Sequence, residues 1–77
     1  MSKPKICSQW LKQLGDNIRR ERVSKNISQL QLAEMADLNI RSLQRIEAGE
    51  VDLLLTTTMR IRKALDCPWD RIIPQDR

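Results

Sequence analysis

Between Ser28 and Gly49 the residues permit two short helices and forbid one long one. Ser28 is an N-cap residue, and Gln31 three positions later completes a capping box, in which each side chain satisfies the other's backbone N–H. The helix that follows, Gln29 to Ala36, is expected to pack through Leu32, Ala33, Met35 and Ala36. Asp37-Leu38-Asn39 interrupts it after about two turns: Asp tolerates the left-handed conformation, and Asn39 is a good cap for a new start. A third helix then runs from Ile40 to Ala48 and stops at Gly49, a residue suited to the position just past a helix.

The flanks read as further helices. From Ser8, the apolar residues Trp10, Leu11, Leu14 and Ile18 recur at three- and four-residue spacing, and the helix closes near Lys25-Asn26. Gly15 sits inside it, at a cost of about 1 kcal/mol relative to Ala. Asp52 is the expected cap of a fourth helix, with Leu54, Thr58, Ile61 and Leu65 as one stripe. Cys67-Pro68-Trp69 opens a short fifth, which Pro74 ends. Apolar residues make up 40% of the chain, but Phe and Tyr are absent, so Leu, Ile, Val, Met and Ala must fill the core. Long unbranched side chains with few Gly or Pro favour helix over strand. The expectation is an all-α, five-helix single domain over residues 1–77, with residues 1–7 a flexible leader and 74–77 a tail. A chain this short buries only about 60% of its unfolded surface, too little to enclose a deep pocket.

Several chemistries are excluded at this level. There is no His, and the two cysteines, Cys7 and Cys67, stand far apart without a C-x-x-C pair, so neither a zinc-finger nor a disulfide framework fits. Two reduced thiols are the expectation. With no Gly-rich loop and no clustered carboxylates, neither a catalytic nor a metal or cofactor site suggests itself. No apolar run approaches the length of a membrane span, and no signal-peptide core is present. A soluble cytoplasmic protein without a small-molecule ligand is expected.

The net charge is +4, compatible with a polyanionic partner. Its distribution is uneven: residues 1–26 carry seven basic and two acidic groups, residues 27–55 two basic and five acidic. The middle third would therefore meet DNA with two placed arginines, Arg41 and Arg45. Two short helices joined by a tight turn form a helix-turn-helix. On a helical wheel Leu43, Ile46 and Glu47 share one sector, Arg41, Gln44, Arg45 and Ala48 occupy the opposite one, and Ile40 lies on the boundary. Arg is bidentate to guanine and Gln to adenine in the major groove, so this outward face has base-reading chemistry. The competing reading is that Arg41 and Arg45 are ordinary solvated surface and Gln29 an ordinary first-turn residue.

The run Ile27-Ser28-Gln29-Leu30-Gln31-Leu32-Ala33-Glu34-Met35-Ala36, followed by Leu43-Gln44-Arg45-Ile46-Glu47-Ala48-Gly49, resembles the lambda-repressor-like, Cro/cI-type helix-turn-helix family. Leu14-Gly15-x-x-Ile18-Arg19 is similar to that family's first helix, and Ile61 to Leu65 with Trp69-x-x-Ile72 to its last two. The resemblance spans residues 14–73. It implies that Ile40, Arg41, Gln44 and Arg45 face bases or nearby phosphates, and that Gln29, with Ser28 and Ser42, meets the DNA backbone. It also implies an ion pair between Arg22 and Glu47. The wheel supports that pair independently, because both charges fall on apolar stripes and would be costly there unless they met. Asp37 departs from the family's usual Gly, Leu53 from Pro, and Leu54 from a Ser or Thr cap. The acidic loop Glu50-Val51-Asp52 would repel phosphate.

The function expected is a sequence-specific double-stranded DNA-binding regulator without cofactors. One short recognition helix reads few base pairs, so a homodimer on a pseudo-palindrome is expected, with its two helices about 34 Å apart. Trp69, Ile72 and Ile73 crowd a final helix too short to bury them all, which marks them as interface candidates. A phage repressor, a restriction–modification controller and an antitoxin with a toxin partner all fit this size. The alternative is a protein-interaction module of the same fold, which the acidic 47–52 segment favours and Arg41, Gln44 and Arg45 oppose. Lys3 and Lys5 are candidates for a minor-groove arm, against a leader that touches nothing.

Overall fold

The computed structural model describes residues 5–75. Within them the chain forms four α-helices, α1 (Lys5–Ser24), α2 (Gln29–Met35), α3 (Ile40–Glu47) and α4 (Leu55–Leu65), and a three-residue 3-10 turn, Trp69–Arg71. There is no strand among the described residues. The expected fifth helix is thus one short turn: Pro68 serves as its extended N-cap, and Pro74 follows three residues after Arg71. α1 begins at Lys5, ahead of the Ser8 start expected from the apolar spacing. Lys3 lies outside the described residues, as do Asp76 and Arg77.

The helix boundaries have local causes. α1, α2 and α3 all end in the same way, with one residue in the left-handed region and the next amide bonded back to the last turn. Those residues are Asn26 (φ 58°), Asp37 (φ 55°) and Gly49 (φ 73°). Ile27 N donates to Arg22 O at 3.1 Å, Leu38 N to Ala33 O at 2.7 Å, and Glu50 N to Arg45 O at 3.0 Å. Gly49 is required twice over, since a β-carbon there would also lie 2.7 Å from Lys12 Cα. α2 carries the full capping box, Gln31 N to Ser28 Oγ at 3.0 Å and Ser28 N to Gln31 Oε1 at 2.8 Å. Asn39 caps α3 by accepting from Arg41 N at 2.8 Å.

α4 departs from expectation at its start. Its N-cap is Leu54, with no side-chain cap, because the Asp52 carboxylate is taken by the amide of Leu53 at 2.8 Å. Leu54 consequently points to solvent, 73% exposed, and leaves the stripe that Thr58, Ile61 and Leu65 continue. Met35 is likewise exposed, two positions past the buried Leu32–Ala33 face of α2.

The core is Ile18, Leu32, Leu43, Ile61, Leu65 and Ile72, each fully buried, with Ala33, Ala36, Ile46 and Cys67 around them. Each of the four α-helices contributes at least one of these, so the helix pair α2–α3 is fastened from α1 on one side and α4 on the other. Ile72 requires a correction. At 0% exposure it is a core residue and offers nothing to a partner, because Asn17 Nδ2 holds its carbonyl oxygen at 3.0 Å and draws the C-terminal segment onto α1.

Candidate nucleic-acid interface

α3 lies on the molecule with one face in the core and one in water. Leu43, Ile46 and Glu47 are buried, while Arg41, Gln44, Arg45 and Ala48 are exposed and Ile40 is half-buried at the edge. No carboxylate of α3 faces outward. Ser42 is also exposed, on the flank of α3 toward the loop before α4.

The two arginines differ in their surroundings. Arg41 has no ion pair among the described residues, whereas Arg45 Nε lies 4.0 Å from Glu50 Oε1. Both members of that pair are largely exposed, so the attraction is worth at most about 1 kcal/mol and leaves Arg45 free to be recruited elsewhere. The acidic loop thus sits beside the outward face of α3.

At the start of α2, Ser28 uses its hydroxyl oxygen in the cap and remains exposed. Gln29 is half-buried, and its Nε2 donates to Glu47 Oε1 at 3.1 Å. Glu47 in turn is gripped by Arg22, whose Nε reaches Oε2 at 2.7 Å and Nη2 reaches Oε1 at 3.1 Å. Arg22 Nη1 also donates to Ile27 O at 2.9 Å, which anchors the loop entering α2. The pair is almost wholly removed from solvent, and its fork geometry is the arrangement in which a buried ion pair best recovers the cost of desolvation.

A second polar cluster was not anticipated. Glu21 is buried, 3.1 Å from Arg71 Nη2, and Arg20 Nη2 donates to Arg71 O at 2.8 Å. Lys25 Nζ donates to the carbonyl oxygens of Leu65 and Asp66. Arg20 and Lys25 both bind backbone of the C-terminal segment, Lys25 at the end of α4, where orphan carbonyls need donors. The signal was present in the sequence: Glu21 lies seven residues after Leu14 and three after Ile18, on the same stripe. Beside this cluster, Arg62 lies over the Trp69 ring, 5.3 Å from its centroid. Trp10 and Trp69 both keep over a third of their surface exposed.

A helix-turn-helix with a basic, carboxylate-free outer face on its second helix defines a class of DNA-binding regulator. A family model described as helix-turn-helix matches residues 18–72, well over half the chain, and the chain belongs to this Cro/cI-like helix-turn-helix family. Among solved structures it is similar to the restriction–modification controller protein C.AhdI from Aeromonas hydrophila. The two share 25% sequence identity and a TM-score of 0.79, over 82% of this chain and 96% of that chain. No curated protein matches the chain. Among the described residues, no helix is long and apolar enough to cross a membrane.

Proposed function

We propose that this protein is a sequence-specific transcriptional regulator that binds a pseudo-palindromic operator as a homodimer, in the cytoplasm. The observation that carries the reading is the outward face of α3, where Arg41, Gln44 and Arg45 stand exposed on a helix whose opposite face is locked into the core. Ile40, at the edge of that face, supplies apolar contact to a thymine methyl, and Gln29, Ser28 and Ser42 meet flanking phosphates. The likeness to a restriction–modification controller favours that gene context over a phage repressor or an antitoxin paired with a toxin.

The dimer is supported by apolar surface that the monomer leaves uncovered. Trp69 and Ile73 are both partly exposed, and Leu55 and Met59, one turn apart on α4, are exposed as well. Met59 stands three residues before Arg62, on which Trp69 packs. These side chains replace Ile72 in the proposed seam.

Two measurements test the reading. Selection of bound sites from random duplexes is expected to enrich an inverted repeat with half-sites about one helical turn apart. Failure to enrich any sequence would turn the reading toward a protein-interaction module. Sedimentation at micromolar concentration is expected to give a dimer that Met59→Glu or Trp69→Ala converts to monomer; a monomeric wild type removes the dimer.

A further inference from the structure

The carboxylate of Glu47 serves two partners at once. Its Oε2 accepts from Arg22 Nε at 2.7 Å, and its Oε1 accepts from both Arg22 Nη2 and Gln29 Nε2 at 3.1 Å. Three helices therefore meet on one buried group, with the guanidinium from α1, the carboxylate from α3 and the carboxamide from the first residue of α2. Glu47 is itself packed at its backbone. A β-carbon at Gly15 would lie 2.6 Å from Glu47 O, so the α1 backbone is in direct contact with the backbone of Glu47.

We infer that Glu47 is a positioning residue for DNA binding: it holds the Gln29 carboxamide in the single orientation that presents an N–H to a DNA phosphate. An ionised carboxylate can only accept hydrogen bonds, so Gln29 must turn its NH2 group, and not its oxygen, toward Glu47. One amide hydrogen is then committed and the other is aimed by the first. The flip that would place the oxygen against Glu47 is forbidden, and the ordering of this long side chain is complete before DNA arrives. An unpaired carboxylate so near a phosphate would repel it; the forked pairing with Arg22 cancels that charge and leaves only the acceptor. Arg22 acts on DNA through Glu47 and touches none itself.

The inference rests on the reading of Gln29 as a backbone contact, and the test separates the two. The ion pair is replaced by apolar residues of similar volume in the double variant Arg22→Met with Glu47→Met, a type of exchange that buried pairs often tolerate. Folding is verified by circular dichroism and urea unfolding, and operator affinity is measured with and without Gln29→Ala. Gln29→Ala is expected to weaken the parent by roughly tenfold. The folded double variant is expected to be weakened by about the same factor, with Gln29→Ala costing it less than about twofold more. A methylphosphonate at the contacted phosphate should weaken the parent but neither variant, a readout that a purely structural role would not move. Parental affinity in the folded double variant, or an equal effect of Gln29→Ala in both backgrounds, overturns the inference. Should the double variant not fold, the same cycle is run with Glu47→Gln, which keeps the shape but lets the amide flip, and the same two outcomes decide. If Gln29→Ala leaves the parent unchanged, the backbone-contact reading fails and the inference with it. A parent that binds no duplex overturns the proposed function itself.

Discussion

Gly15 in α1 lies so close to the end of α3 that a β-carbon on it would stand 2.5 Å from the carbonyl oxygen of Ile46. Two effects of opposite sign meet at this position. Alanine is the better helix former by about 1 kcal/mol. The overlap is with backbone, which cannot rotate away, and forcing apart a packed interface typically costs about 1–3 kcal/mol. Contact wins over propensity, and Gly15→Ala is expected to lower stability, with a reduced urea midpoint. An unchanged or raised midpoint would mean that the two helices can separate freely.

Asp37 presents the reverse case. It holds the left-handed position after α2 at φ 55°, where a side chain costs about 1–2 kcal/mol and Gly costs nothing sterically. Among the described residues its side chain is compensated by an exposed contact to Arg60 at 3.9 Å, which is worth little. Asp37→Gly is therefore expected to raise stability by about 0.5–1 kcal/mol, after the larger backbone entropy of Gly in the unfolded chain is subtracted. Thermal unfolding measures it, and a lower midpoint would contradict the strain argument.

The Arg22–Glu47 pair joins α1 to α3 across the core edge. Removing one partner leaves the other buried and unpaired, so either single replacement should cost about 3–5 kcal/mol. A double-mutant cycle should show coupling of a large part of that sum. Coupling of only a few tenths of a kcal/mol would show that each charge finds other partners.

The interior of the chain was legible where a residue has one physical reason to be where it is. Ser28 with Gln31, Asn39 and Gly49 mark the boundaries of α2 and α3 because caps act locally, and Leu32, Leu43, Ile46, Ile61 and Leu65 follow helical spacing into the core. What depends on distant backbone was not legible. Asp52 looked like the cap of α4, but its carboxylate bonds the adjacent amide instead, and Leu54 takes the position without a side-chain bond. The contacts of Arg20 and Lys25 leave no local trace because the carbonyls they bind belong to residues some forty to fifty positions later. Ile72 was assigned to a partner surface because nothing local shows that Asn17 will draw its backbone against α1. For the recognition face, spacing alone separated Arg41, Gln44 and Arg45 from the buried side, but it could not show that Gln29 is tied to Glu47.

Cys67 is buried among the core residues, and its thiol is pushed up, first by burial and then by the nearby Glu21 carboxylate, with Lys25, Arg62 and Arg71 opposing. The folded state therefore keeps this proton to a higher pH than the unfolded chain does. The resulting stabilisation is complete below the unfolded thiol's ordinary value, about 8.5, and is lost as pH rises through the folded value. Wild type should lose stability as pH rises above about 8.5 relative to Cys67→Ala, a comparison that cancels the titration of other groups. Parallel urea midpoints for the two proteins across that range would show that the thiol titrates equally in both states.

Arg41 and Arg45 stand one helical turn apart on the exposed edge of α3 and can reach successive base steps. Their forks match the two acceptors on the major-groove edge of guanine, so each half-site is expected to contain a guanine read by one of them. Losing that arginine should cost about 1–3 kcal/mol on the preferred operator and relax discrimination at that base pair alone. The Glu50 carboxylate complicates Arg45, since it competes for the same guanidinium at 4.0 Å. Glu50→Gln should therefore tighten binding modestly, with a gain that is smaller when Arg45 is already Ala, where only the relief of phosphate repulsion remains. Gln29 is neutral and, in the proposed reading, meets a phosphate, so Gln29→Ala should weaken all sequences alike and leave the salt dependence nearly unchanged. The measurement is binding of each variant to a panel of single-base operator changes at two salt concentrations. If Arg41→Ala and Arg45→Ala both weaken every site equally and flatten the salt dependence, the two arginines are backbone contacts, and base reading passes to Gln44 and Ile40.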